Sequence, residues 1–150
     1  MNVAREVVAT ALFNLLKATQ VNSAAAFVTT GQNPKIWSNT TPGDQPAMYL
    51  IDVGETVVQN QAYGLSKYVL HFEILVYVRA DASPLAIPAT QLRTLRDAID
   101  AQMQSVPPGE RQTLGGVVYH AWIEGDVLVD TGILDKQCVI MIPVKVLTGI

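Results

Sequence analysis

The sequence predicts an α+β fold, in which two amphipathic helices pack on one face of a mainly antiparallel four- to five-stranded sheet. The elements follow in the order helix, strands, helix, strands, so helices do not separate the strands one by one as in a doubly wound parallel sheet. Short connections between the last strands favour antiparallel pairing. The 150 residues suit one domain, and we expect residues 1–150 to form it.

The first helix is predicted over about residues 3–18. Asn2 is the candidate N-cap, because a short polar side chain there can accept a hydrogen bond from the first turn. The apolar positions form a wide stripe at the helical period: Val3, Ala4, Val7, Val8, Ala11, Leu12, Leu15 and Leu16.

Residues 20–46 are predicted to be mainly loop, with a short strand around residues 26–29. The stretch "GQNPKIWSNTTPGDQP" is rich in turn-forming residues and should lie on the surface. Trp37 lies inside it. A large aromatic side chain in such a loop either pins the loop to the core or reaches a partner.

Two strands are predicted next, "AMYLIDV" over residues 47–53 and "KYVLHFEILVYVRA" over residues 67–80. Residues 54–66 between them either extend the first strand or form a projecting arm with a turn at residues 59–61. In the second strand one parity is apolar and should face the core: Tyr68, Leu70, Phe72, Ile74, Val76 and Val78.

A second helix is predicted from Pro88, which suits a first helical turn, to about Ser105, before "VPPGE". Its apolar stripe comprises Leu92, Leu95, Ala98, Ile99 and Met103. Two strand runs follow, at about residues 116–130 and 136–147. Pro143 has no backbone donor, so it predicts a bulge or a sheet edge in the last strand.

Composition excludes several classes of function. The net charge is −3 and the basic residues are scattered, which disfavours tight binding to nucleic acid. Charged residues make up only 15% of the chain, which favours an oligomer. The single cysteine, Cys138, lies among aliphatic residues and is expected to be buried and inert. We expect no signal peptide and no membrane span, and a reducing, soluble setting.

The stretch "YHAWIEGDVLVDTG" holds the candidate chemistry. In a strand, one parity would collect a histidine, a tryptophan and three carboxylates: His120, Trp122, Glu124, Asp126 and Asp130. That arrangement suits a metal or acid/base site, but it is equally typical of a half-exposed strand. His71, beside Glu73, would join His120 only across neighbouring strands. Nucleophile-elbow and phosphate-loop motifs are missing from the sequence.

The chain resembles tail terminator (tail completion) proteins of tailed bacteriophages, of the lambda type and the Mu-like prophage tail family. The resemblance spans nearly the whole chain and lies in packing and turn patterns. The most telling combination is "QPAMYL" with "RQTLGG" and "WIEG". The matching blocks are "ALFNLLKAT", "FVTTGQNPKIWSN", "PGDQPAMYLIDVGE", "PATQLRTLRDAIDA", "GERQTLGGVVYHAWIEGDV" and "VIMIPVKVL".

This resemblance implies a structural virion protein without enzymatic activity or cofactor. Tail terminators form a ring, here expected to be a hexamer, that caps the tail tube and joins it to head completion proteins at the neck. The expected location is the virion, after assembly in the host bacterial cytoplasm. Head–tail adaptor or stopper proteins and tail tube subunits are the alternatives. A metal-binding or hydrolytic domain using His120, Glu124 and Asp126 is less favoured.

A ring would give the acidic residues a role. No Lys or Arg occurs between Arg111 and Lys136, and a ring would repeat this acidic surface around its axis. We expect Glu124, Asp126 and Asp130 to line the channel, where they repel passing DNA without binding it specifically. The alternative is a solvated outer face. The candidate subunit or partner contacts are Trp37, Tyr63 and Trp122.

Overall fold

A computed structural model describes residues 3–35, 41–59, 66–79, 88–130 and 137–149. A 3-10 turn at Pro42–Asp44 precedes the long strands. The helices and strands of the described residues are α1 (Arg5–Lys17), β1 (Gln20–Val21), β2 (Ala24–Ala25), β3 (Thr29–Gly31), β4 (Ala47–Gln59), β5 (Lys67–Arg79), α2 (Pro88–Met103), β6 (His120–Ile123), β7 (Leu128–Asp130) and β8 (Gln137–Gly149).

The main sheet has the strand order β3-β4-β5-β8-β6, and β7 also pairs with β8. The β3–β4 pair is parallel, whereas β4–β5, β5–β8, β6–β8 and β7–β8 are antiparallel. The short strands β1 and β2 form a separate ribbon. The α+β class is confirmed. The main sheet has six strands instead of four to five, because β3 adds an edge and β6 and β7 divide one predicted strand.

The core lies between the helices and one face of the sheet. The predicted core parity of β5 is confirmed, since Leu70, Phe72, Ile74, Val76 and Val78 are buried and Tyr68 is half-buried. Each fully buried leucine or isoleucine contributes about 1.5–3 kcal/mol. The largest fully buried side chains come from both helices and three strands, and include Leu12, Leu16, Met48, Ile74, Leu92, Ile99 and Ile142.

Helix α1 begins two residues later than predicted, at Arg5, and its N-cap is Ala4. The assignment of the cap to Asn2 was therefore wrong. The Val3 amide donates to the Gly149 carbonyl oxygen of β8 at 3.0 Å, which holds residue 3 extended beside the sheet. Helical geometry can start only after this contact, and the cap position receives no side-chain hydrogen bond.

Helix α2 begins at Pro88 as predicted and ends at Met103. The Gln112 side-chain amide donates to the carbonyl oxygens of Met103 and Gln104, at 3.3 and 3.0 Å. These carbonyl groups have no partner within the helix, so Gln112 stabilises the helix end. Gln102 in turn donates to the Leu15 carbonyl oxygen at 2.7 Å, which ties α2 to α1.

The short strand predicted around residues 26–29 lies later in the chain, as β3 (Thr29–Gly31), and residues 26–28 are not in a strand. Before β3, the chain forms the β1–β2 ribbon, and Asn22 and Ser23 at its turn both have positive φ, as a tight hairpin turn requires. Strand β3 then starts at Thr29, beside Ala47 of β4. Trp37 lies outside the described residues.

The ambiguous segment after residue 53 is a continuation of β4 as far as Gln59, so its first part is strand. Its register against β5 shifts between Asp52 and Gly54 and again between Val57 and Gln59. Gln59, where the turn was predicted to begin, is the last residue of β4. Residues 60–65, which include Tyr63 and the rest of the predicted turn, lie outside the described residues.

Pro143 occupies an interior strand, and the prediction of an edge or of a bulge in its own strand was wrong. It pairs in continuous register with Glu73 of β5. On the other side of β8, the pairing with β6 ends at Val144 and the pairing with β7 begins at Met141. Residues 124–127 therefore lie opposite Ile142 and Pro143 only. Proline offers no donor there, so the partner strand leaves the sheet. Gly125 follows this detour with φ +125°, and a Cβ at Gly125 would lie 3.1 Å from Pro143 Cγ.

Candidate functional site

The candidate residues surround this break between β6 and β7. Trp122 Nε1 donates to a carboxylate oxygen of Glu124 at 2.5 Å, and Lys145 Nζ lies 3.5 Å from the other oxygen. The hydrogen bond from Trp122 lowers the pKa of the Glu124 carboxyl group, and the positive charge of Lys145 lowers it further. Glu124 is therefore an ionised, exposed and already partnered group at neutral pH, unlike a general acid.

His120 lies flat against Trp122, with ring centroids 5.0 Å apart and planes inclined by 13°. Its Nδ1 accepts a hydrogen bond from the Gln112 backbone amide at 3.2 Å. This bond occupies the Nδ1 lone pair, so that atom is not available to bind a metal ion. The half-buried Trp122 is thus held between His120 and Glu124.

The described residues do not assemble His120, Glu124 and Asp126 into a metal site. No group of three histidine, cysteine or acidic side chains in the described ranges is placed to hold a metal ion. His71 bonds instead to Thr56, with Nε2 2.8 Å from Oγ1. Its strand β5 is separated from β6 by β8, so the two histidines are not on neighbouring strands and lie about 10 Å apart or more.

The predicted shared face holds only in part. His120, Trp122 and Asp130 pair with odd-numbered residues of β8, which point away from the helices to what we call the outer face. Glu124 and Asp126 lie in the break, outside the strands. All three predicted channel acids are exposed.

The outer face has two regions of different character. One region is a small apolar cluster, in which the Tyr49 and Tyr77 rings lie 5.7 Å apart beside Leu75. Burial raises the pKa of the Tyr77 hydroxyl. The other region is polar. Glu73 of β5 pairs with Pro143, and Lys145 of β8 pairs with His71, so the two charged residues lie diagonally across the two strands. The outer face therefore carries charges of both signs beside the acidic break.

A cleft of about 370 Å³ opens between the end of α2, the following loop and β6. Its walls combine Met103 and Pro108 with polar groups of Gln112 and His120. The Gln112 backbone amide donates to His120, and the Gln112 side chain donates to the end of α2. The Ser105 hydroxyl, which also lines the cleft, donates to the Pro107 carbonyl oxygen at 2.8 Å and not to His120.

Within the described residues the main sheet has two open margins. The sequence indicated a strand extension or a projecting arm at the first margin and missed the second. Residues 52–58 of β4 are all exposed, and Val53, Val57 and Val58 are 61%, 51% and 56% exposed. At the opposite margin, Leu128 and Val129 of β7 are 55% and 53% exposed. The signal in the sequence was the run "VGETVV", in which valines occupy both parities of a strand and cannot all face one core.

No family model matches the sequence. No curated protein matches it either. Among the solved structures, a chain described as "Virion of native gene transfer agent (GTA) particle" has a TM-score of 0.48 and 12% sequence identity, over 81% of this chain and 78% of that chain. Neither helix in the described ranges is long and apolar enough to cross a membrane. Function is therefore inferred from the residues and surfaces of this chain.

Proposed function

We propose that this protein is a structural component of a tailed-phage-type virion, and specifically a tail terminator. In this proposal, copies of the chain form a ring, expected to be a hexamer, that caps the tail tube. The ring joins the tube to head completion proteins at the neck and leaves a channel for DNA. The role is structural and needs neither catalysis nor a cofactor.

The observation that carries this proposal is the open edge of β4. Three valines more than half exposed on an unpaired edge are an aggregation hazard for a free monomer, and natural proteins normally cover or charge such edges. An assembly subunit uses the same edge as an interface. The sequence resemblance to tail terminators then indicates which assembly this is.

The candidate chemistry supports the same choice over the alternative of a metal-binding or hydrolytic domain. Glu124 is held by Trp122 and Lys145, and His120 by Gln112 and Trp122. Glu124 and His120 are therefore both engaged in local structural contacts. Such contacts brace the strand break, and none of them prepares a proton transfer.

Labelling of tailed particles from a strain that carries the gene tests the proposal. Antibodies against the protein should mark the head-proximal end of the tail in electron micrographs. Label along the whole tube would instead identify a tube subunit, and label on tailless heads would identify an adaptor or stopper. Absence of label on particles that contain detectable tube and head proteins would refute a virion role.

A further inference from the structure

We infer that the subunits of the ring pair edge to edge, with the open half of β4 in one copy against β7 of the next. This inference rests on the proposed ring and names its interface. It concerns a contact between two different margins of the same sheet, so each copy offers one margin to each neighbour. Such a head-to-tail contact generates a ring or a filament, whereas a two-fold contact would stop at a dimer.

The β4 margin has the properties of a strand that lacks a partner. Strand β3 pairs only with Ala47, Met48 and Tyr49, and within the described residues nothing pairs with the outer edge of β4 beyond them. Residues 52–58 are exposed on both faces, so neither helix covers this half of the strand. Backbone groups along an open edge recruit another extended strand.

The β7 margin offers the complementary edge. Within the described residues β7 pairs with β8 alone, and Leu128 and Val129 are each more than half exposed. The neighbouring strand β6 is less accessible, because the Ala121 amide donates to the Gln112 carbonyl oxygen at 2.8 Å. The open part of this margin is therefore β7, with its two apolar side chains.

Strand polarity permits the pairing without any inversion of a subunit. β4 is antiparallel to β5, β5 to β8, and β8 to β7, so β4 and β7 run in opposite directions. Copies placed side by side in the same orientation thus bring β7 of one copy antiparallel to β4 of the next. The sheet would continue from subunit to subunit with regular antiparallel hydrogen bonds.

The two open margins are staggered along the strands. Val57 pairs with Tyr68 of β5, which in turn pairs with Thr148 of β8, so these residues lie at the same position along the strand direction. Val129 lies level with Ile140, eight residues away from Thr148 along the same strand. At about 3.3 Å per residue, neighbouring copies must be offset by about 26 Å along the strands. A closed ring therefore requires strands inclined to its axis, as in β-barrels.

The edge is too small to hold copies together in dilute solution. β7 is the shorter of the two edges, and its three residues span about 10 Å, so at about 10 Å across both faces the contact would bury about 100 Å² on each partner. Stable complexes bury about 800 Å² on each partner. We therefore expect monomers in dilute solution and rings only at high local concentration, such as on the end of a tail tube.

Cysteine cross-linking tests the pairing in the full-length protein. Cys138 is buried, and burial raises the pKa of its thiol, so it reacts slowly with the cross-linker and is kept in every variant. Val57→Cys and Val129→Cys are then made separately in this chain. Mixed at high concentration with a short bifunctional thiol cross-linker, they should form about tenfold more dimer than either alone, because pairing raises the local thiol concentration. The double variant should give a ladder of multimers.

Val106→Cys is the matched control, since Val106 is 96% exposed and lies after the end of α2, outside both margins. A mixture of Val57→Cys with Val106→Cys should show background cross-linking only. Efficient cross-linking of Val57→Cys with itself would identify a two-fold contact and overturn the inference, as would a mixed yield equal to the control. Antibody labelling of particles is independent of this result, so a failure of the virion role remains distinguishable from a failure of the interface.

Discussion

Arg5 is the residue that ties α1 to the open half of β4. Its Nε and Nη2 donate to the two carboxylate oxygens of Glu55, at 2.7 and 3.0 Å. Its guanidinium group also lies 5.1 Å from the centre of the Tyr68 ring. The hydrogen bond from Arg5 lowers the pKa of Glu55 below its ordinary value of 4.5. A single side chain thus positions an edge strand that the core does not cover.

Replacement of Glu55 by glutamine should lower the melting temperature slightly at neutral pH. A carboxylate with a lowered folded-state pKa stabilises the fold above its ordinary pKa, and this contribution is lost as the pH falls through the folded-state value. The pair is exposed, so the effect is small and salt weakens it.

Thermal unfolding of both proteins at neutral pH and at about pH 3 measures this contribution. The difference between them should disappear at the lower pH and shrink in high salt. A difference of the same size at both pH values would show that Glu55 acts through packing. Glu6→Gln is a suitable control, because Glu6 is an exposed acid on α1, the helix that carries Arg5.

Among the elements, those with a regular pattern were predicted well from the sequence. β5 alternates in period two and α2 carries a helical stripe, and both lie within two residues of their predicted bounds. The predicted strand at about residues 116–130 was wrong as a single element. Polar and apolar residues alternate along this segment as in a strand. Pro143 of β8 has no backbone donor, however, so the pairing with β8 is interrupted between β6 and β7. A local pattern cannot reveal a partner that lies elsewhere in the chain.

Gly125→Ala should destabilise the fold by about 1–3 kcal/mol, the usual cost of a strained backbone conformation. Gly125 has φ +125°, and an added Cβ would lie 3.1 Å from Pro143 Cγ, so the strand break would have to shift. Urea unfolding measures the change. Gly54→Ala is the control, since a Cβ there would meet nothing within 4 Å and should change stability little. Equal effects at both sites would contradict the steric account.

For the whole molecule, the distribution of charge decides how the sheet can face a channel. The outer face carries Glu73, Lys145 and Asp130, whereas the exposed acids Glu124 and Asp126 lie in the β6–β7 break, where Lys145 Nζ lies 3.5 Å from Glu124. A ring would bring these acids together at each interface between subunits. The part of the expected channel that repels DNA would then be formed by the acids at the β6–β7 break, because the outer face carries charges of both signs.

Joint replacement of Glu124 by glutamine and of Asp126 and Asp130 by asparagine should leave the protein folded, because exposed charges contribute little to stability. If these acids line the channel, particles should still assemble but should eject or retain DNA poorly. Circular dichroism, particle counts and infectivity per particle separate the three effects. Full infectivity of the variant would rule out the channel role, and loss of folding would show that the acids are structural.

The sequence by itself determined the α+β class, the two helices and the long central strands, because these depend on patterns that a segment carries alone. Only the tertiary structure decided where α1 starts, where the strand after residue 119 breaks and which sheet edges stay open. Each of these depends on a hydrogen bond or a contact with a distant segment: Val3 with Gly149, Glu124 and Gly125 with Pro143, and β4 with β3. The same holds for "YHAWIEGDVLVDTG", whose apparent active-site pattern becomes, in the fold, a braced strand break beside an open edge.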